Sequence, residues 1–330
     1  MFTYLFIDTY RRHLIHRLRH TKQAAFAKST VTNLRTQWKA YLSFTVMARI
    51  NPLPITVQKM CLFAQHLSLR VRSPATVVNY LSGLRSVMQL AGSSAPSIAE
   101  PQIKLTIRGL KRTMHHKVRR ALPMDPQLLK KIHSLLDHNN SFHAVFWLYC
   151  VLSFLLFCRK SNLIPNSARA FNPNKQLLWS DISFSSQAVV VDIKWSKTNQ
   201  FGDKQVTVPL LANPKSELCP VSAIRQVISL VPPIKTHSPF IFKTGTSHQL
   251  LTYPLMQSTL RVILAILGKD PTKYSSHSFR RGGATFAHVI GMKGQDIQIL
   301  GGWASECYKL YLHSTVQGRV KLAKRIRDAI

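Results

Sequence analysis

Apolar positions recur at helical spacing over most of this chain and at strand spacing in one region only. Within residues 22–95, Val31, Leu34, Trp38, Tyr41, Leu42 and Met47 fall close to a 3.6-residue period and predict a helix. Asn51-Pro52-Leu53-Pro54 breaks it. Thr56 can cap a second helix through Met60, Phe63, Ala64 and Leu67. Ser73-Pro74 opens a third, with Ser73 as N-cap and Pro74 at the first helical position, where a missing N–H costs nothing. Its apolar face is Val77, Tyr80, Leu81, Leu84, Val87 and Met88, and it ends near Gly92.

The second half begins at Pro123-Met124-Asp125-Pro126, which leads into a helix carrying Leu128, Leu129, Ile132 and Leu135. Ala144 to Cys158 is uncharged and apolar on every face. It is shorter than the roughly 20 residues a bilayer requires, so it predicts a buried core helix. Arg159 and Lys160 follow at its end. Residues 177–210 change period: Ala188–Trp195 and Lys204–Leu210 read as two strands, with Gly202-Asp203 as turn chemistry and Lys197 near the hairpin tip. From 220 onward the pattern is helical again, with loops at Val231-Pro232-Pro233 and Lys243 to His248. The expected class is mainly α with a small antiparallel β-sheet. The expected organisation is a basic N-terminal extension (1–21), a helical domain (22–100), a basic linker (101–121) and a second domain (122–330).

Charge changes this picture more than composition does. The chain has 330 residues, and 45 Lys plus Arg stand against 12 Asp plus Glu, a formal charge of +33. Such a self-repelling chain calls for a polyanionic partner. Between Asp8 and Glu100 there is no acidic residue at all. An ordinary solvated surface mixes both signs, so this segment reads as facing phosphate. Arg35, Lys39, Arg70, Arg72 and Arg85 are its candidate nucleic-acid contacts. Arg108, Lys111, Arg112, Arg119 and Arg120 extend them through the linker. An anionic membrane surface is the second candidate partner, but no amphipathic anchor is evident. The five cysteines form no CxxC and have no metal-type histidine spacing, which speaks against zinc. The apolar run at the N-terminus is too short for a signal peptide.

The richest chemistry lies between His277 and His313. His277 and Arg280 share one helical turn, Gly282-Gly283 permits close backbone approach, and Gly301-Gly302 ends a helix directly before Trp303. Tyr308 and Tyr311 share one face of a last helix. An imidazole, a guanidinium, an indole and a phenol in one segment suit attack on a phosphodiester without a metal ion. The few scattered acids could scarcely build a metal cluster, so side-chain cations must neutralise the phosphate. Each residue also has a plainer reading: Trp303 as core, either tyrosine as packing, Arg159 as a helix C-terminal charge. Their joint order outweighs those readings.

That order resembles the tyrosine recombinases, the phage-integrase-like family. His277-x-x-Arg280, Leu300-Gly301-Gly302-Trp303 and Tyr311-Leu312-His313 match its C-terminal signature, and Phe154 to Pro165 resembles the helix bearing its first catalytic arginine. Ile193 to Thr198, ahead of Val206 to Leu210, resembles its β-hairpin lysine motif. The resemblance implies Arg159, Lys197, His277, Arg280 and Trp303 as catalytic residues and Tyr311 as nucleophile. Lys194 is runner-up to Lys197, and Tyr308 is the rival of Tyr311. Many members carry Glu where this chain has Asn162. The resemblance further implies a C-shaped clamp of a helical core-binding domain and a catalytic domain. It implies a site-specific recombinase that works on double-stranded DNA through a 3′-phosphotyrosyl intermediate, as a tetramer, with no cofactor and no metal. Wording around Arg159 and Trp303 resembles the eukaryotic DIRS-like and Crypton-like transposon branch, which implies a nuclear protein; otherwise it would be cytoplasmic. A type IB topoisomerase-like relaxing enzyme and a domesticated, transposon-derived DNA-binding protein remain alternatives.

Overall fold

In the computed structural model, which describes residues 2–117, 120–195 and 206–303, prolines and small polar residues set where helices begin. The chain divides into two compact units, Met1–Arg119 and Arg120–Ile330. The first contains α1 (Phe2–Ala24), α2 (Lys28–Met47), α3 (Val57–Ser68), α4 (Pro74–Leu90) and α5 (Pro101–Thr113). Thr56 caps α3 by accepting from the Lys59 N–H, and Ser73 caps α4 by accepting from Ala75. Tyr41, Phe44, Met60, Phe63, Leu81 and Leu84 meet in one core. The Tyr41 and Phe63 rings meet edge to face at 5.3 Å, and the Tyr41 hydroxyl donates to the Pro52 carbonyl at 2.9 Å.

The basic stretch read as a linker over 101–121 is different in its first part. Pro101–Thr113 is a helix, and Ile103, Ile107 and Leu110 are buried in the first core. Their spacing of four and three residues makes an apolar stripe on a helix whose other faces carry Lys104, Arg108, Lys111 and Arg112. Density of charge disguised an amphipathic helix as a tether.

The second unit begins with α6 (Pro126–His133), capped by Asp125, whose carboxylate accepts from Leu128 at 2.8 Å. Next come α7 (Ser141–Leu155) and the short α8 (Lys160–Leu163). Helix α7 is buried on every face from Ala144 to Phe154, as its uncharged sequence requires. Strands β1 (Ile182–Phe184), β2 (Ala188–Ile193) and β3 (Val206–Leu211) form an antiparallel sheet in the order β1-β2-β3. Its register pairs Val191 with both Ile182 and Val208, so the buried face is Val189, Val191, Val208 and Leu210. Helix α9 (Pro220–Leu230) follows. Lys243 to His248, expected as a loop, lies in a hairpin of β4 (Ile241–Thr244) and β5 (Ser247–Leu250). Gly245, at φ +57°, supplies the left-handed turn residue that the hairpin needs. Helices α10 (Tyr253–Ile266), α11 (Ser276–Val289) and α12 (Gly294–Leu300) complete the described chain.

Candidate active site

The site is built where α7 stops. Phe157 sits at φ +47°, in the left-handed region that glycine favours and a Cβ-bearing residue occupies only at a cost. The turn hands the chain to Cys158, which is buried, and then to Arg159, which is half-buried and extended ahead of α8. Burial pushes the Cys158 thiol up to about 12, so it stays protonated and is no rival nucleophile.

Helix α11 brings the second cation. Ser275 accepts from the His277 N–H at 3.3 Å, and its own N–H donates to the Ser278 hydroxyl at 3.0 Å, a capping box that fixes the first turn. One turn on, Gly282 and Gly283 face backbone: a Cβ at Gly282 would overlap the Met124 carbonyl, and one at Gly283 the Phe154 carbonyl. Close approach to α7 is therefore a property of this glycine pair. It carries Arg280 into the interior, where 2% of the residue is exposed. The Arg280 guanidinium donates from Nη1 to the Phe157 carbonyl and from Nη2 to the Gly301 carbonyl, the latter at 3.2 Å. It also lies 3.9 Å above the Trp303 ring, a cation–π contact strengthened by exclusion of water.

Trp303 reaches that position because α12 ends on two glycines. Gly302 is at φ +57°, and a side chain at Gly301 would fill the place of the indole ring. Trp303 is buried with Phe157, Ala284, Ala287 and Ile297, and its ring centroid is 6.4 Å from that of Phe157. Two segments distant in sequence, the Phe157 turn and the end of α12, thus close on the one guanidinium that α11 carries.

His277 lies one turn before Arg280 and is exposed. Its pKa is lowered by desolvation of the charged ring first, then by the charges of Arg280, Arg159 and Lys160. Desolvation and the charges of these three cations thus favour the neutral imidazole. Lys160 is a site neighbour that the sequence pattern did not single out. Its ammonium sits 3.0 Å over the Tyr253 ring and donates to Asn166 Oδ1 at 2.9 Å.

The hairpin lysines separate as well. Lys194 pairs with Asp181 at 2.6 Å and donates to the Pro173 carbonyl at 2.7 Å. It is engaged in holding the base of the sheet. Lys197 lies outside the described residues, as do Tyr308, Tyr311 and Arg119. Of the proposed DNA contacts, Arg35, Lys39, Arg70, Arg72, Arg108, Lys111, Arg112 and Arg120 are exposed, and Arg85 is half-buried. Among the described residues, no group of three or more His, Cys, Asp or Glu side chains could hold a metal ion. No described helix is long and apolar enough to cross a membrane.

No protein-family model and no curated protein matches the chain. Solved structures do match. The fold is that of the tyrosine recombinases and integrases: a helical unit followed by a mainly helical unit with a small antiparallel sheet. One match is the XerH site-specific recombinase bound to a palindromic difH substrate in a post-cleavage complex. It has a TM-score of 0.61 and 17% identity, covering 91% of this chain and 79% of that one. Another is the Tn1549 transposon integrase in complex with transposon right-end DNA. It has a TM-score of 0.59 and 13% identity, covering 89% of this chain and 94% of that one. A lambda integrase dimer bound to a COC′ core site matches with a TM-score of 0.51 and 15% identity, covering 93% and 75%.

Proposed function

We propose that this chain is a DNA strand-breaking and -rejoining enzyme of the tyrosine recombinase type, with double-stranded DNA as substrate. The observation that carries the reading is the convergence on Arg280. The Phe157 turn, the α12 terminus and Trp303 bury and orient one guanidinium, and its charge and that of Arg159 both act on His277. The DNA-bound recombinases and integrases of the same fold support it, as does the acid-free basic segment.

In the proposed mechanism Arg159 binds the non-bridging oxygens of the scissile phosphate, and the buried positive charge of Arg280 helps to stabilise the charge that builds on them. Neutral His277 hydrogen-bonds the phosphate or accepts a proton. Trp303 holds the Arg280 plane by stacking. The Tyr311 oxygen attacks phosphorus, forming a 3′-phosphotyrosyl bond as the 5′-oxygen leaves with a proton from Lys197. A 5′-hydroxyl of another strand reverses the attack and releases the tyrosine. Strand exchange would need a tetramer of chains on DNA; in a eukaryotic host the nucleus would be the place of action. The first test is a nicked suicide duplex that loses its 5′-hydroxyl fragment after cleavage. The reading expects a denaturant-stable protein–DNA adduct, and its absence across sequence-diverse substrates would contradict the reading. Relaxation of supercoiled DNA without joining of two sites would instead place the chain with the relaxing enzymes.

A further inference from the structure

Asn162 stands where many tyrosine recombinases carry a carboxylate, and the structure gives its amide a use that a carboxylate could not fill. The residue is 4% exposed. Its Oδ1 accepts from the Arg159 N–H at 3.2 Å, while its Nδ2 donates to the Trp195 carbonyl. Its own carbonyl accepts from the Leu177 N–H at 2.9 Å. Gln176, also buried, braces the next peptide by donating to the Ser161 carbonyl at 2.9 Å. Trp195 is held from another side by Lys175, whose ammonium lies 5.0 Å from its ring.

One side chain therefore ties two segments that sequence keeps 33 residues apart. The first presents Arg159 at the N-cap of α8, a helix of 4 residues. So short a helix has no stability of its own, so Arg159 takes its direction from what its backbone is tied to. The second is the chain just past β2, at Trp195. An amide accepts at one end and donates at the other, whereas an ionised carboxylate only accepts. Aspartate here would set a negative oxygen against the Trp195 carbonyl, and alanine would leave both partners unsatisfied.

We propose that Asn162 is a positioning residue that holds the Arg159 segment and the chain just past β2 in fixed relation, and that it does so specifically as an amide. This rests on the recombinase reading above, because it matters to activity only if Arg159 and the hairpin serve one phosphate.

The test uses the full chain, a suicide duplex and two variants, Asn162→Ala and Asn162→Asp. DNA affinity, single-turnover adduct formation by the bound complex and thermal unfolding are measured across pH. Asn162→Ala should form adduct about 10- to 100-fold more slowly with DNA affinity unchanged, as expected when catalytic groups are displaced and not lost. Asn162→Asp should be slow at neutral pH. Relative to wild type it should recover as pH falls, because only the protonated acid can donate to the Trp195 carbonyl. A purely structural role would lower folding stability in both variants while the adduct rate per folded, DNA-bound complex stayed at the wild-type value. If the alanine variant fails to fold, the near-isosteric aspartate variant carries the test alone. Wild-type adduct rates per bound complex in the variants, or a slow aspartate variant with no recovery at low pH, would overturn the proposal. Absence of adduct from the wild-type chain would overturn the recombinase reading itself, a distinct result.

Discussion

Arg280 is a cation with almost no water around it. Burying it is unfavourable unless its N–H groups are satisfied, and here two of them meet main-chain carbonyls while the guanidinium plane lies on Trp303. Such a group is oriented before any phosphate arrives. Lysine cannot reproduce the fork or the stacking, so Arg280→Lys should slow adduct formation by about 100-fold or more. Intact circular dichroism and unchanged DNA affinity would show that the loss lies in the chemical step; wild-type rates would contradict the role. His277 gives a second expectation. Desolvation and three nearby cations depress its folded pKa. Its contribution to stability is thus present above the unfolded value of about 6.5 and is lost as pH falls through the folded one. Proton NMR of the free chain should show its titration midpoint below 6.5; a midpoint above would contradict the arrangement. The His277-x-x-Arg280 pair was legible in the sequence, but the different fates of its members were not. Helical spacing says that two residues share a side, not that one is buried and the other exposed. Asn162 was legible only as a missing acid, since its partner at Trp195 is set by tertiary contact.

At the level of elements, capping chemistry is what made the helices readable. Thr56 and Ser73 each accept the backbone hydrogen bond that the sequence suggested, and Asp125 does the same at the start of α6. The apolar run before Arg159 is the buried helix it promised. Short strands and α5 escaped for physical reasons. β1, β4 and β5 span 3 or 4 residues each, too few to show a period, and the apolar stripe of α5 is only three residues among many charges. The glycines of α11 are the element-scale test. Because Gly282 abuts the Met124 backbone, which cannot swing aside as a side chain can, Gly282→Ala should cost about 1–3 kcal/mol or more. Urea denaturation reads this directly, and a stability equal to wild type would mean that α11 can move away freely. The two hairpin lysines make another contrast. Lys194 is engaged with Asp181 and Pro173, so Lys194→Ala should lower stability by about 1 kcal/mol while adduct formation continues. Lys197→Ala should instead leave stability in place and suppress cleavage. The reverse pattern in the same two assays would exchange their roles.

Over the whole molecule the decisive property is charge. A chain at +33 with no acid between Asp8 and Glu100 would bind a polyanion by releasing the polyanion's counterions. If six or more phosphates are contacted, affinity for duplex DNA should fall by about a thousandfold or more between 50 and 200 mM salt. A nearly flat salt dependence, measured by fluorescence anisotropy, would point away from a phosphate-facing surface. The fold was readable at this scale because the order of residue types from Arg159 to Tyr311 resembles that of a known family. Solved structures share the fold at 13–17% identity. The residue that would make and break bonds was reached through that order alone, since Tyr311 lies outside the described residues.

Identifying the amino acid that becomes joined to DNA is therefore the most direct test. Adduct trapped on a suicide duplex is digested with nuclease and protease, and the nucleotide-bearing peptide is sequenced by mass spectrometry. The account predicts a 3′-phosphotyrosyl linkage at Tyr311, and no adduct from Tyr311→Phe. A linkage at Tyr308 or at any other residue, or an undiminished adduct from Tyr311→Phe, would contradict it.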